Sequence, residues 1–208
     1  MIATKSPRTV LPRIPAKKIP ASLIYEIIDG KPIYYKGYEE VVNGTKTIEE
    51  VMGSSNLQST IIEYLLMVLF KSIDLTKYRV LTNETGLHLS KKNNLSGDIV
   101  IYDKSVLPVK SADKHYISVP PKIQIEVDID AHLGAFSTPD GYIYTKTDKL
   151  LQFGVEKVIW LMSEGKKVLV ATKDENWAII DWNKDIEIAN GISFNIGQYL
   201  KDEESPFA

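Results

Sequence analysis

Two short apolar runs, each broken by one carboxylate, constrain this chain more than any other feature: Gly97-Asp98-Ile99-Val100-Ile101 and Ile123-Gln124-Ile125-Glu126-Val127. Both read as buried β-strands, where an ionised carboxylate is costly unless it is paired, protonated or bound to a metal. Side chains alternate along a strand, so Gln124, Glu126 and Asp128 share one face while Ile123, Ile125 and Val127 share the other. Asp98 begins its strand in this reading and Glu126 lies near the end of its own. An antiparallel pairing of the two strands therefore brings the carboxylates together. Oxygen ligands of this kind suit Mg²⁺ or Mn²⁺. The alternative at this level is a pair of solvated acids at fraying strand ends.

Lys146 shifts the balance toward a site. At about 100° per residue, the expected helix Tyr142–Phe153 buries an arc defined by Ile143, Leu150 and Phe153. Lys146 falls inside that arc, Lys149 at its edge, and Asp148 and Gln152 face solvent. A lysine in an apolar stripe either snorkels outward or finds an anion. The carboxylate strand just before the helix supplies one. Such a cation can orient a water or offset charge on a phosphorane-like transition state.

The rest of the chain reads as an α+β (α/β-like) domain with one central mixed sheet and helices against it. Leu23 to Tyr35 is a β-hairpin turning at Asp29-Gly30. Thr47 caps a short helix through Met52, and a longer helix runs from Leu57 to Ile73. Tyr78–Thr82, Gly86–Leu89, Val158–Leu161, Val168–Ala171 and Trp177–Ile180 are further strand segments. A proline-bearing surface loop joins the two carboxylate strands. The expected organisation is a basic, proline-rich arm at 1–22, one domain over 23–200 and an acidic tail at 201–208. The arm holds five of the chain's 25 basic residues and none of its 27 acidic ones, leaving a net −7 on the remainder. The arm either lies along phosphates or is a solvated tail. The chain has no cysteine, which excludes disulfides and thiolate zinc sites. With no signal-peptide core and no span-length apolar run, the reading is a cytoplasmic protein.

The ordered set Gly97-Asp98-Ile-Val-Ile-Tyr-Asp103, Pro121-Lys-Ile-Gln-Ile-Glu126-Val127 and Lys146-Thr-Asp-Lys-Leu-Leu-Gln-Phe-Gly-Val155 resembles the Uma family of candidate endonucleases, in the PD-(D/E)XK, restriction-endonuclease-like superfamily. The Tyr25-Glu-Ile-Ile-Asp-Gly30 hairpin is similar to that family's N-terminal signature, so the resemblance spans roughly residues 23–162. It implies a restriction-endonuclease-like core with an N-terminal hairpin extension. It also implies Asp98 and Glu126 as ligands of Mg²⁺ (or Mn²⁺), the Val127 backbone carbonyl as a further ligand, and Lys146 as the motif lysine displaced onto the following helix. Three departures stand out. Gly97 replaces the usual proline and is expected to matter little, since that residue only shapes the approach to the strand. Gln58 stands where a histidine is common. Asp128 is either an auxiliary ligand or a solvated acid.

These observations imply a Mg²⁺-dependent nuclease whose partner is nucleic acid, DNA by family analogy, with a homodimer as the arrangement that cuts both strands. A second reading is a catalytically inactive nuclease-fold protein that binds nucleic acid or another protein; the acidic body favours it. A glycosidase built on Glu126 and Asp98 leaves Lys146 unexplained.

Overall fold

The structure, a computed structural model, describes residues 19–128, 131–134, 136 and 138–208. Most of the basic arm lies outside the described residues. Asp29 and Gly30 both take positive φ, 52° and 75°, which matches the right-handed twist of the strands they join. Strand β1 (Ile24–Ile28) thereby folds back on β2 (Lys31–Tyr35), as the sequence predicts. Two short helices follow, α1 (Tyr38–Val42) and α2 (Glu49–Met52). Thr47 N–H donates to Glu50 Oε2 at 2.7 Å, but the N-cap of α2 is Ile48 with no side-chain cap hydrogen bond, so Thr47 does not cap this helix as expected. Helix α3 (Asn56–Ser72) starts at Ser55, whose hydroxyl accepts from Gln58 N at 3.1 Å.

β3 (Tyr78–Ser90) and β4 (Asn93–Asp103) form a long antiparallel pair. The two segments expected at Tyr78–Thr82 and Gly86–Leu89 are one strand. A bulge between Thr82 and Thr85 joins them, with Asn83 and Glu84 at φ 71° and 50°. β4 also begins earlier than expected. Its first half, Asn93-Asn94-Leu95-Ser96-Gly97, lacks an apolar pattern but pairs with β3, so Asp98 sits in mid-strand and not at its start.

β5 (Ile123–Val127) pairs antiparallel with β4 through Ile99↔Ile125. β6 (Ala131–His132) is a two-residue strand on the edge of β2. Helix α4 (Pro139–Phe153) then carries the chain across to β7 (Lys157–Met162), which lies parallel to β5. Proline opens the helix three residues before the expected start at Tyr142, and Gly154 closes it at φ 118°. β8 (Lys167–Thr172) and β9 (Ala178–Asp181) extend the sheet by antiparallel pairing. A small hairpin, β10 (Ile186–Ala189) with β11 (Ile192–Phe194), and helix α5 (Ile196–Asp202) complete the chain; none of the three is anticipated in the sequence.

The main sheet runs β6-β2-β1-β4-β5-β7-β8-β9, with β3 on the other edge of β4. β5–β7 is its parallel pair, and α4 is the crossover. One face packs on Ile61, Leu65 and Leu69 of α3 together with Trp182, Ile188, Phe194 and Leu200. The other packs on Tyr142, Ile143, Leu150 and Leu151 of α4. This is an α+β fold with a central mixed sheet flanked by helices. No helix among the described residues is long and apolar enough to cross a membrane.

Candidate active site around Lys146

The register Ile99↔Ile125 makes Asp98 and Glu126 the next opposed positions, so both project from the α4 face of the sheet. Lys146 reaches the same place from α4. Its ammonium lies 3.0 Å from Glu126 Oε1 and 2.7 Å from Glu26 Oε1, and the side chain is fully buried. The ring of Trp160 lies 5.3 Å from Nζ, with Tyr142 and Tyr25 at 5.9 and 6.0 Å. Two carboxylates and three aromatic faces thus replace water around one cation. Burial pulls the lysine pKa down, but Glu126 and Glu26 outweigh it and hold it above the ordinary value.

Glu126 is 2 % exposed and is pushed up to about 8. Burial is the main cause; Lys146 opposes it, and the charges of Asp98 and Glu26 add to it. Two carboxylates, Glu26 and Glu126, meet the one ammonium, and Asp98 adds a third acid whose charge acts on Glu126, a set of oxygen donors that suits a divalent cation. Gln124 lies beside Glu126, donating from Nε2 to Glu126 Oε1 and, at 2.9 Å, to Ser96 O. Its buried Oε1 accepts no hydrogen bond among the described residues. Oxygen donors in surplus, with an unused amide oxygen next to them, fit Mg²⁺ or Mn²⁺, which complete their coordination with water. Among the described residues, no group of three His, Cys, Asp or Glu is arranged to hold a metal unaided.

Asp98 is 9 % exposed, and its Oδ2 accepts from Val127 N at 2.7 Å. It borders an open cleft of about 310 Å³ lined also by Tyr35, Thr82 and Glu84. The Tyr35 hydroxyl donates to Glu84 at 3.1 Å across that cleft. Solvent therefore reaches the pair from the Asp98 side, while Lys146 is sealed behind Glu126. The Val127 carbonyl accepts from Gln58 Nε2 at 2.9 Å, so the residue standing in the histidine position fixes the carbonyl the resemblance assigns to the metal.

Two expectations are corrected. Asp128 is neither an auxiliary ligand nor a solvated acid: at φ 57° it turns away, and its carboxylate accepts from Ser163 N at 2.7 Å and Ser163 Oγ at 2.8 Å. Gly97 is not incidental, because a Cβ there would lie 2.9 Å from Gln124 Cδ and Nε2. Any larger residue displaces the amide that touches Glu126.

The structure brings Asp98, Glu126 and Lys146 into one polar cluster and adds Glu26 and Tyr142, which sequence patterning does not place there. Tyr142 donates to Glu26 Oε2 at 2.7 Å. The available signal was a lone glutamate inside the apolar run Ile24-Tyr25-Glu26-Ile27-Ile28, the same pattern that singled out Glu126.

No family model matches the chain, and no curated protein matches its sequence. Among solved structures, a candidate nuclease of the DUF820 family from Anabaena variabilis ATCC 29413 is similar, with a TM-score of 0.62, 13% identity, and coverage of 85% of this chain and 89% of that one. At that identity the likeness establishes the shared fold: a central mixed sheet with helices on both faces, common to this chain and a candidate nuclease.

Proposed function

We propose that this protein is a divalent-metal-dependent phosphodiester hydrolase acting on nucleic acid, with DNA as the substrate. The observation that carries the reading is the convergence of Asp98 and Glu126 on one sheet face with the buried ammonium of Lys146 bonded to Glu126. The resemblance in sequence and the likeness in fold to a candidate nuclease support it. Asp98 and Glu126 would hold Mg²⁺ or Mn²⁺, with the Val127 carbonyl as the third protein ligand. A bound metal supplies Lewis-acid polarisation and a more acidic water. Lys146, kept protonated by its carboxylate partners, cannot act as a base. It is a fixed positive charge behind Glu126 that would orient water or offset charge developing on phosphate oxygens once Glu126 turns to a bound metal. Gln58 fixes the Val127 carbonyl, and Gln124 orients Glu126.

The binding-module reading draws on the net −7 outside the arm. Cleavage separates the two. Purified protein with Mg²⁺ or Mn²⁺ should cut DNA, and EDTA should stop it. Asp98→Ala and Glu126→Ala should each lose roughly a thousandfold in rate, because each removes a metal ligand and every ~1.4 kcal/mol of lost transition-state stabilisation is tenfold. Equal residual cleavage by wild type and Asp98→Ala would mark the activity as a contaminant and leave the binding module.

A further inference from the structure

Glu26 lies 120 residues from Lys146 in sequence, yet it is the nearer of that lysine's two carboxylate partners, at 2.7 Å against 3.0 Å for Glu126. Its side chain is fully buried, and the backbone explains why it is there. β4 offers one edge to two strands. β1 meets it at Asn94 and β5 at Ile99, leaving a notch at Ser96 where no strand lies. Side chains fill the notch. Glu26 Oε1 accepts from Ser96 N at 2.9 Å and from Ser96 Oγ at 3.2 Å, and Gln124 Nε2 donates to Ser96 O. Glu26 Oε2 takes the Tyr142 hydroxyl at 2.7 Å. Backbone N–H, serine, phenol and ammonium fix both oxygens, so Glu26 cannot turn without stranding a buried donor.

Glu126 is placed differently. It shares a sheet face with Asp98, and the oxygen that meets Lys146 also meets Gln124. A lysine partnered by Glu126 alone would compete with a cation for that oxygen. A second, immobile carboxylate removes the competition.

We propose that Glu26 is a positioning residue: it holds the Lys146 ammonium in place when Glu126 turns to a divalent cation. The inference rests on the nuclease reading for its consequence in catalysis, but its geometric content concerns this chain's own residues. Glu26 touches neither metal nor substrate and acts through Lys146. Glu26→Gln keeps the shape and the acceptor for Ser96 N–H while removing the charge.

The test uses full-length protein labelled with ¹⁵N at lysine. A buried, ion-paired ammonium exchanges slowly with water, and loss of its resonance in Lys146→Met assigns it. The wild-type resonance should persist when Mg²⁺ is added; in Glu26→Gln it should broaden or vanish on the same addition. In parallel, Glu26→Gln should lower kcat roughly tenfold or more while leaving KM for DNA unchanged, and Glu26→Gln/Lys146→Met should be no slower than Lys146→Met alone. Tyr142→Phe, which removes one anchor of Glu26 and keeps the ring, should show the same effects more weakly and covers the case in which Glu26→Gln does not fold. Rate losses that multiply in the double variant overturn the proposal. So does a resonance indifferent to both substitutions, or a Mn²⁺ affinity that falls in Glu26→Gln as far as in Asp98→Ala, which would make Glu26 a ligand. If wild type cleaves nothing, the nuclease reading falls, and the resonance alone decides whether Glu26 holds Lys146.

Discussion

A hydrogen where other residues carry a methyl decides the position of Gln124. A Cβ on Gly97 would sit 2.9 Å from the Gln124 amide, closer than real side chains approach. That amide bridges Ser96 O and Glu126 and cannot retreat without breaking both hydrogen bonds. Gly97→Ala should therefore cost about 1–3 kcal/mol of stability as overpacking. It should also weaken Mn²⁺ binding measured by calorimetry, because Glu126 loses its guide. Glu126 carries a second prediction at this scale. Its folded pKa of about 8 lies above the ordinary carboxylate value, so the metal-free folded state holds a proton that the unfolded chain releases near 4.5. The stability this contributes is complete below about 4.5 and is lost as pH rises through about 8. Urea midpoints in EDTA should fall between about pH 5 and about pH 9, and Glu126→Gln should flatten that fall. A metal bound at Glu126 would displace the same proton, so Mn²⁺ affinity should climb with pH and level off above about 8. A wild-type stability slope no steeper than that of Glu126→Gln would reject the shifted carboxylate.

At the scale of elements, signals confined to neighbouring residues are legible and signals that need a distant partner are not. Asp29-Gly30 announces the β1–β2 turn, and the apolar arc with Gly154 announces α4. Lys146 stands out because its helix face is otherwise apolar, and its burial follows from that face. Glu26 is harder. In a strand of five residues with isoleucine on both faces, alternation does not say which face is core, and its partners lie 70 to 120 residues away. The β10–β11 turn at Asn190-Gly191 uses the same left-handed pair as Asp29-Gly30, with φ of 51° and 77°, but its flanking strands are too short to show a period. β4 hides its first half because Asn93 to Gly97 is held by pairing with β3 and not by an apolar pattern. The two helical layers are separable by experiment. Leu65 of α3 is fully buried on the sheet face opposite Lys146. Leu65→Ala should lose about 2–5 kcal/mol in denaturant unfolding while leaving Mn²⁺ affinity unchanged. A matching fall in affinity would show that the site depends on both faces of the sheet.

For the whole molecule, charge is the quantity that a nucleic-acid substrate tests most directly. Outside the arm the chain carries a net −7, and a duplex brings about one negative charge per 1.7 Å of axis. The two repel unless local positive charge faces the phosphates. Lys146 cannot supply it, because it is sealed between Glu26 and Glu126. Lys5, Arg8, Arg13, Lys17 and Lys18 are the densest run of unopposed positive charge in the sequence. Deleting residues 1–18 removes all five and leaves Leu23, which is buried, at the base of β1. For a duplex, the dependence of log affinity on log salt flattens by about 0.9 for every phosphate the protein no longer neutralises. The slope should therefore fall by up to about 4.5, and DNA binding should weaken most at low salt. Turnover at saturating DNA should not change, since Asp98, Glu126 and Lys146 all lie outside the deleted segment. An unchanged salt slope would show that the arm does not contact phosphates. The acidic body would then have to meet the duplex through bridging cations, and DNA affinity would rise with Mg²⁺ even in Asp98→Ala, where the candidate site has lost a ligand.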